Sequence, residues 1–398
     1  MKGSAVQTVP IKDLYQGLYD GPHATPKPSE DGPVFLGIKN VTEDGKLDLS
    51  EIRHIAEDDF SAWTRRIEPQ PGDLVFTYEA TLNRYAIVPE GFRGCLGRRM
   101  ALIRPDSSKV DTRFLLYYFF TNEWRTVISN NMLAGATVDR IPLTKFPDFP
   151  VRVPPLPIQR RVSGILSAYD ELIQNNQRRI KILEEMARSL YREWFVHFRF
   201  PGHDKVKMVP SPLGPIPQGW EVSEFRNIFQ IKYGKTLPKT EIHDQGQYPV
   251  YGAGDVIGYY DSLFCSDKVA LITSRGNGSG TVWRTREAAF VTNNSLIIQP
   301  QDKFDSWDYS FVELLLRHSN VMESKTGSAQ PQVTIENLNY VKALVPSNPL
   351  VEIFCRLATP LYEQVDLLHQ KSKSLRRTRD LLLPRLLSGN VINRGTTP

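Results

Sequence analysis

Residues Pro157–Phe200 read PIQRRVSGILSAYDELIQNNQRRIKILEEMARSLYREWFVHFRF. Apolar side chains recur at Ile158, Val162, Ile165, Tyr169, Leu172, Ile180, Leu183, Ala187, Leu190 and Trp194. Steps of three and four set them in one stripe along a helix whose other faces are mostly polar. Pro157 suits a first helical turn, where its missing N–H costs nothing, and Pro201-Gly202 is a stop signal. At ~1.5 Å per residue such a helix is a rod of roughly 60 Å, longer than an ordinary globular core needs. A second rod lying along the stripe would bury it.

The C-terminal region supplies that second rod. Asn348-Pro349 reads as a cap and a first-turn proline. Leu350, Phe354, Leu357, Leu361, Val365, Leu368, Leu375, Leu382 and Leu386 form its stripe, and Ser388-Gly389-Asn390 closes it. Pro360 lies inside and is expected to kink or restart the helix. Ser372 and Arg379 interrupt this stripe as Asn176 interrupts the first. Pairing is expected through Val162, Ile165, Tyr169, Leu172, Leu183 and Leu190 against Leu357, Leu361, Val365, Leu368, Leu375 and Leu382. The basic residues Lys371, Lys373, Arg376, Arg377 and Arg379 are expected to cover the outer face or to meet another protein.

The two helices occupy equivalent places in an internal repeat. Pro154 answers to Pro346, Pro157 to Pro349, Leu183 to Leu375 and Leu190 to Leu382. Gly135–Ile141 falls on Gly327–Val333, Leu74–Thr77 on Ala270–Thr273, and Asp13-Leu14 on Asn227-Ile228. The period is far too long for a solenoid. Each copy is therefore a globular domain followed by a long helix: 1–155, a helix over 156–203, a second domain over 204–346, and a helix over 347–398. Short apolar strands such as Leu74–Thr77, Met100–Arg104, Val269–Thr273 and Ser295–Ile298 accompany single helices at Arg113–Ser129 and Tyr309–Arg317. That mixture indicates an α+β domain in each copy.

Composition narrows the function. In 398 residues, 49 basic and 44 acidic side chains leave a net charge of only +5, which permits a polyanion partner without demanding one. Cys95, Cys265 and Cys355 form no paired framework, which suggests a reducing compartment. With no leader pattern and no apolar run long enough to span a bilayer, the chain reads as soluble and cytoplasmic. The seven histidines show no zinc spacing. No Walker run, S-adenosylmethionine loop or amino-methylation motif is present. The glycine-rich Arg275–Gly280 is followed by the strand-like Thr281-Val282-Trp283 rather than a helix, so it reads as a hairpin loop and not a phosphate cradle.

Two loop pairs at equivalent places stand out. Tyr78, Thr81 and Asn83 occupy the position that Arg275, Asn277 and Ser279 occupy in the second copy. Thr137 and Arg140 likewise correspond to the neighbourhood of Gln330 and Gln332. Gln pairs bidentately with adenine and Arg with guanine in the major groove. One scaffold carrying different polar loops is what a reader of two different sequences needs. Arg65, Arg66, Arg98 and Arg99, and Lys232, Lys235 and Lys239 near Tyr233, could follow a phosphate backbone. Taken singly, each also fits an ordinary solvated surface.

The chain resembles the specificity subunits of type I restriction–modification systems. Gly72–Thr77 with Glu79-Ala80-Thr81, Leu96-Gly97-Arg98-Arg99-Met100, Tyr248–Gly252 and Gly327–Pro331 carry the resemblance. So do Pro154–Gln159, Tyr191–Phe195 and Leu381–Gly389. Arg98 departs from the glutamine expected there. The resemblance implies two target recognition domains separated by two helices that form an antiparallel coiled coil with an internal pseudo-two-fold repeat. Each domain would read one half of a bipartite, asymmetric DNA site. Host defence through DNA methylation and restriction would be shared with two modification subunits and with restriction motor-nuclease subunits. S-adenosylmethionine, ATP and Mg2+ would belong to those partners, leaving this chain non-catalytic and without metal. A methyltransferase-only or other restriction-like system is the related alternative. A coiled-coil scaffold without DNA specificity, or an enzyme with an unrecognised site, are the alternatives from other classes.

Overall fold

The computed structural model describes residues 6–133, 138–276, 278–327 and 331–387. Two compact units divide the chain: Met1–Gln174 with Lys373–Pro398, and Asn175–Ser372.

The first unit contains β1 (Gln7–Pro10), β2 (Tyr15–Asp20), β3 (Ser29–Leu36), β4 (Arg53–His54), α1 (Phe60–Trp63), β5 (Leu74–Thr77), β6 (Tyr85–Ile87), β7 (Gly94–Leu96) and β8 (Met100–Pro105). Then come α2 (Thr112–Phe119), α3 (Asn122–Asn131), β9 (Pro150–Val153) and the start of α4 (Leu156–Tyr191). An antiparallel sheet runs β2-β8-β5-β6, a second runs β4-β3-β7 with β3 parallel to β7, and β1 pairs with β9. All four residues of β5 are buried because both faces of the sheet are covered. Leu74 and Phe76 face the core that contains α2, while Val75 faces the one that contains Leu36 and Leu96. Alternation therefore sends one strand into two cores, which is why it reads as a continuous apolar run.

The second unit repeats this plan. It holds β10 (Met208–Val209), β11 (Ile216–Pro217), β12 (Glu221–Glu224), α5 (Phe225–Ile228), β13 (Phe229–Tyr233), β14 (Tyr248–Tyr251), β15 (Val256–Tyr260) and β16 (Ala270–Thr273). These are followed by β17 (Val282–Arg284), β18 (Phe290–Val291), β19 (Ser295–Pro300), α6 (Tyr309–His318), α7 (Ile335–Asn339), β20 (Lys342–Val345) and α8 (Asn348–Leu387). Its sheets run β13-β19-β16-β17 and β15-β14-β18, with β14 parallel to β18, and β12 pairs with β20. Ala270 and Ile272 face one core and Leu271 the other, as in β5.

Several expectations are corrected. The segment Arg113–Ser129 is two helices: the Thr121 hydroxyl accepts from the Trp124 N–H and starts α3, turning Trp124 fully into the core. The long helix α4 ends at Tyr191 rather than Phe200. A π turn over Arg192–Val196 and the left-handed Phe198 (φ 58°) redirect the chain. Trp194, Phe195 and Phe200 then reach the second unit's core, where they pack with Trp220 and Phe354. Pro360 neither ends nor restarts α8, which runs through it unbroken. Pro360 and Arg356, the residue whose carbonyl loses its helical donor, are both exposed, so water can meet that carbonyl. The expected close at Ser388-Gly389-Asn390 lies outside the described residues.

Within each unit the two long helices pack antiparallel. In the second unit, Ile180 and Leu183 cluster with Val365 and Leu368, and Trp194 packs on Phe354. In the first, Val162 and Leu166 share a core with Leu386. Ile165, Leu183, Leu361 and Leu382 are partly buried against these clusters, and Tyr169, Leu190 and Leu375 are likewise half-buried. Leu172 and Leu357 are not on the seam: they are 51% and 50% exposed, while Ile173 and Ala358 beside them are buried. The seam advances by sevens through Leu166, Ile173, Ile180 and Ala187. It includes the polar positions that look like interruptions. Asn176 is buried and donates to the Ser372 hydroxyl at 3.3 Å. Arg379, expected on the outer face, turns inward to Asp170 at 2.5 Å. Asp170 also accepts from the Tyr117 hydroxyl at 2.6 Å, and burial followed by this carboxylate pushes the Tyr117 pKa up.

A buried ion cluster joins α8 to the second unit's sheet. Arg284 of β17 donates to Asp366 at 2.7 and 3.1 Å and lies 3.2 Å from Glu313 of α6, and Lys268 reaches Asp366 at 2.7 Å. Burial works against the Arg284 charge, but Asp366 and Glu313 more than offset it and raise its pKa. Replacing Asp366 with Ala takes both of its aligned hydrogen bonds from a guanidinium whose side chain is 7% exposed, and leaves it the ion pair with Glu313. The expected loss is about 3–5 kcal/mol, measured by urea unfolding. A loss under ~1 kcal/mol, typical of a surface pair, would contradict the cluster's role.

Candidate nucleic-acid interface

The polypeptide brings together loops that are separate in sequence. In the first unit the β5–β6 loop meets the segment after α3. Ile141 N–H donates to Tyr78 O at 2.7 Å, Ala80 N–H to Asp139 O at 3.0 Å, and Tyr78 N–H to Arg99 O at 3.1 Å. Leu133 and Arg140 exchange two backbone hydrogen bonds, at 2.9 and 3.1 Å. Arg140 is thus bridged to Leu133 on one side and to Glu79 on the other.

The second unit repeats the pattern with other residues. Val333 N–H donates to Ser274 O at 2.8 Å, and Ser274 N–H to Asn294 O at 2.8 Å. Thr326 and Gln332 exchange hydrogen bonds of 2.9 and 2.8 Å. Gln332 is bridged to Thr326 and to Arg275. The loops turn at equivalent left-handed points. Ala80 (φ 69°) matches Gly276 (φ 86°), and Asn83 (φ 62°) matches Gly280 (φ 86°). Arg99 (φ 71°) adds a third non-glycine residue in this region to the first unit. L-residues enter it at a cost of about 1–2 kcal/mol, and such conformations gather at functional sites.

The expected site residues divide accordingly. Arg140, Arg275 and Gln332 are exposed at the loop mouths, and Thr81 is half-buried there. Tyr78 is only 5% exposed, and Ser279 only 1%, so neither ring nor hydroxyl is presented at the surface as expected. Ser279 is drawn inward because its N–H closes a turn on Gly276 O and the next residue, Gly280, bonds back to Thr273 O. Burial first, then Asp20 and Glu79, push the Tyr78 hydroxyl up to about 12. Asn83 accepts from the Tyr85 hydroxyl at 3.2 Å and serves the loop. Thr137, Asn277 and Gln330 lie outside the described residues.

Among the basic candidates, Arg65 and Arg98 are exposed, while Arg66 pairs with Asp20. Arg99 sits 3.1 Å from Glu79, an ion pair rather than an aligned hydrogen bond. Lys232 and Lys235 hold their ammonium groups 5.8 and 4.6 Å from the Phe264 ring centroid. Tyr233 is 38% exposed beside them, and Lys239 is exposed at the start of a short helical turn. Sequence reasoning did not single out Glu79, Leu133 and Thr326, which the backbone bridges to Arg140 and Gln332. The repeat places Glu79 opposite Arg275, and that was the available signal.

This surface presents hydrogen-bonding groups on short paired backbone, a form that a major groove admits. Among the described residues, no group of three or more His, Cys, Asp or Glu side chains could hold a metal ion, and no helix is long and apolar enough to cross a membrane. The three thiols are buried, and burial pushes Cys95 and Cys355 up to about 12, far from thiolate chemistry.

The MjaIX type I restriction enzyme specificity subunit of Methanocaldococcus jannaschii is 23% identical over 412 residues, covering 98% of this chain and 90% of that protein. The HindI specificity subunit of Haemophilus influenzae is 19% identical, covering 80% and 86%. The crystal structure of a type I restriction-modification system S subunit from M. genitalium has the same fold, with a TM-score of 0.62 at 18% identity over 97% of each chain. The family described as the type I restriction modification DNA specificity domain matches residues 47–185 and 217–377. With a duplicated body, paired loop mouths and that match over most of its length, the chain belongs to the type I restriction–modification DNA specificity family.

Proposed function

We propose that each unit's loop mouth reads one half of a split, asymmetric duplex target, and that the chain itself performs no chemistry. The observation that carries this reading is one backbone arrangement presenting different side chains: Arg140 between Leu133 and Glu79, and Gln332 between Thr326 and Arg275. A structural duplication kept only for stability has no need to vary its exposed polar groups while keeping the bridges beneath them. Arg and Gln are the side chains best suited to guanine and adenine edges.

Methylation and cleavage then fall to partners: two modification subunits that use S-adenosylmethionine for adenine N6-methylation, and restriction subunits that use ATP and Mg2+. Ile182, Met186 and Leu357 support a protein partner on the helices, being 60%, 51% and 50% exposed. The modest net charge of +5 fits a subunit whose partners share the phosphate contacts. We also propose that the gap between half-sites follows the length of α4 and α8, which support this by running unbroken across the division between the units.

Two outcomes test this reading. Gln332→Ala should relax one base pair of the second half-site by about 1–3 kcal/mol and leave the first half-site untouched, measured by competition among duplexes in the assembled complex. Uniform loss against all sequences would instead indicate a phosphate contact. Removing one matched heptad from both helices, Ile173–Arg179 with His369–Leu375, keeps the seam in phase and shortens each helix by ~10 Å. The preferred gap should shrink by about three base pairs at ~3.4 Å each, read from sites methylated by the complex. An unchanged gap would refute the ruler.

A further inference from the structure

Each loop mouth holds a row of three residues on three adjacent backbone segments. The row is Leu133, Arg140 and Glu79 in the first unit, and Thr326, Gln332 and Arg275 in the second. We propose that these rows are the base-reading elements, with Glu79 a specificity residue that accepts a hydrogen bond from cytosine. The inference deepens the DNA-reading function above and rests on it.

The backbone carries the first part of the argument. Residues directly opposite one another on antiparallel segments put their side chains on the same face, about 4.5–5.5 Å apart between Cα atoms. The central residue of each row exchanges both hydrogen bonds with one neighbour and is bridged to the other. The same pairing holds in both units although no side chain is shared. Leu133 is 42% exposed, Arg140, Thr326, Gln332 and Arg275 are exposed as well, and Glu79 is partly buried with 21% of its side chain exposed.

Charge carries the second part. A carboxylate facing DNA is repelled by phosphate unless a cation neutralises it. Arg99, held in its left-handed conformation, lies 3.1 Å from Glu79 and supplies that charge while leaving carboxylate lone pairs for another donor. The residue whose carbonyl plays the Arg99 part in the second unit is the neutral Asn294, and there the row begins with Arg275 in place of Glu79. The supporting charge has thus changed together with the reading residue. A carboxylate suits the cytosine amino group, Arg suits guanine, Gln suits adenine, and the methyl groups of Leu133 and Thr326 suit the thymine methyl. The first row accordingly favours a G·C-containing half-site, and the second combines one guanine with one adenine.

The test uses the full chain in its assembled complex and selection from a duplex library with both half-sites randomised over a fixed gap. The transplant Leu133→Thr, Arg140→Gln, Glu79→Arg and Arg99→Asn should give the first half-site the preferences that the wild type shows in the second, at least tenfold at the altered positions. The second half-site should keep its own. A first half-site preference that does not change overturns the rows. If the transplant abolishes binding by the first unit, Glu79→Gln decides, with thermal unfolding measured alongside. A tenfold loss of discrimination at one cytosine position, at unchanged stability, supports the rows; uniform or absent loss overturns them. A wild-type complex with no preference at either half-site would sink the DNA-reading function itself, whereas a preference that ignores these variants sinks the rows alone.

Discussion

The phase of the helical seam is the constraint on which the rest depends. A long helix with one apolar stripe cannot bury that stripe against itself, and α4 and α8 solve the problem for each other inside both units. Apolar contacts such as Ile180 with Val365 and Leu368 supply the attraction but tolerate sliding by a heptad. The polar pairs remove that freedom. Asn176 finds Ser372, and Arg379 finds Asp170, in one alignment. In a slipped register Asn176 would be buried without its Ser372 partner, which costs more than their hydrogen bond returns, and the half-buried Arg379 and Asp170 would lose their ion pair. Polar residues on an apolar seam thus give up some stability to select one register.

Each unit ties its sheets to the helices in a different way. The first uses neutral and singly charged contacts: Tyr117 on Asp170, and the buried Gln159 side chain accepting from the Asp111 N–H at 2.9 Å. The second uses the Arg284, Asp366, Glu313 and Lys268 cluster, with Tyr362 and Tyr309 rings at 4.7 and 5.4 Å from the guanidinium. A buried charge cluster is demanding in geometry because every member must be met, so it holds β17 and α6 in one arrangement against α8. β17 is also the strand into which the Arg275 loop returns. The joint and the Arg275 loop are therefore two ends of the same hairpin.

The loop mouths show how a fixed scaffold carries variable chemistry. Hydrogen bonds there run between backbone atoms, which every residue except proline can supply. Side chains are then free to differ so long as the left-handed turning points are respected. Gly276 meets that need without strain, while Ala80 adopts the same turn at some cost. At Gly276 nothing lies within 4 Å of the position a Cβ would take, so the conformation and not crowding favours glycine there, whereas at Gly280 a Cβ would also meet Met322 Sδ at 2.7 Å.

Much of this was legible in the amino-acid order because it follows from periodicity and repetition. Stripes three and four residues apart define helices, the doubled Pro154 and Pro346 segments reveal the duplication, and Arg275–Gly280 reads as a hairpin because a strand follows it. Choosing Leu172 over Ile173 was a local error with a clear origin: a polar Asn176 looks like a gap in a stripe until its partner Ser372 is seen. The burial of Tyr78 and Ser279 was equally hidden, since a loop's inward and outward faces depend on what packs against it. The chain order thus determined the elements, their duplication and the family, because those depend on neighbours a few residues apart. Only the tertiary structure decided that Glu79 lies beside Arg140 and Arg275 beside Gln332, because those meetings depend on backbone pairings between segments more than fifty residues apart, for which no local pattern codes.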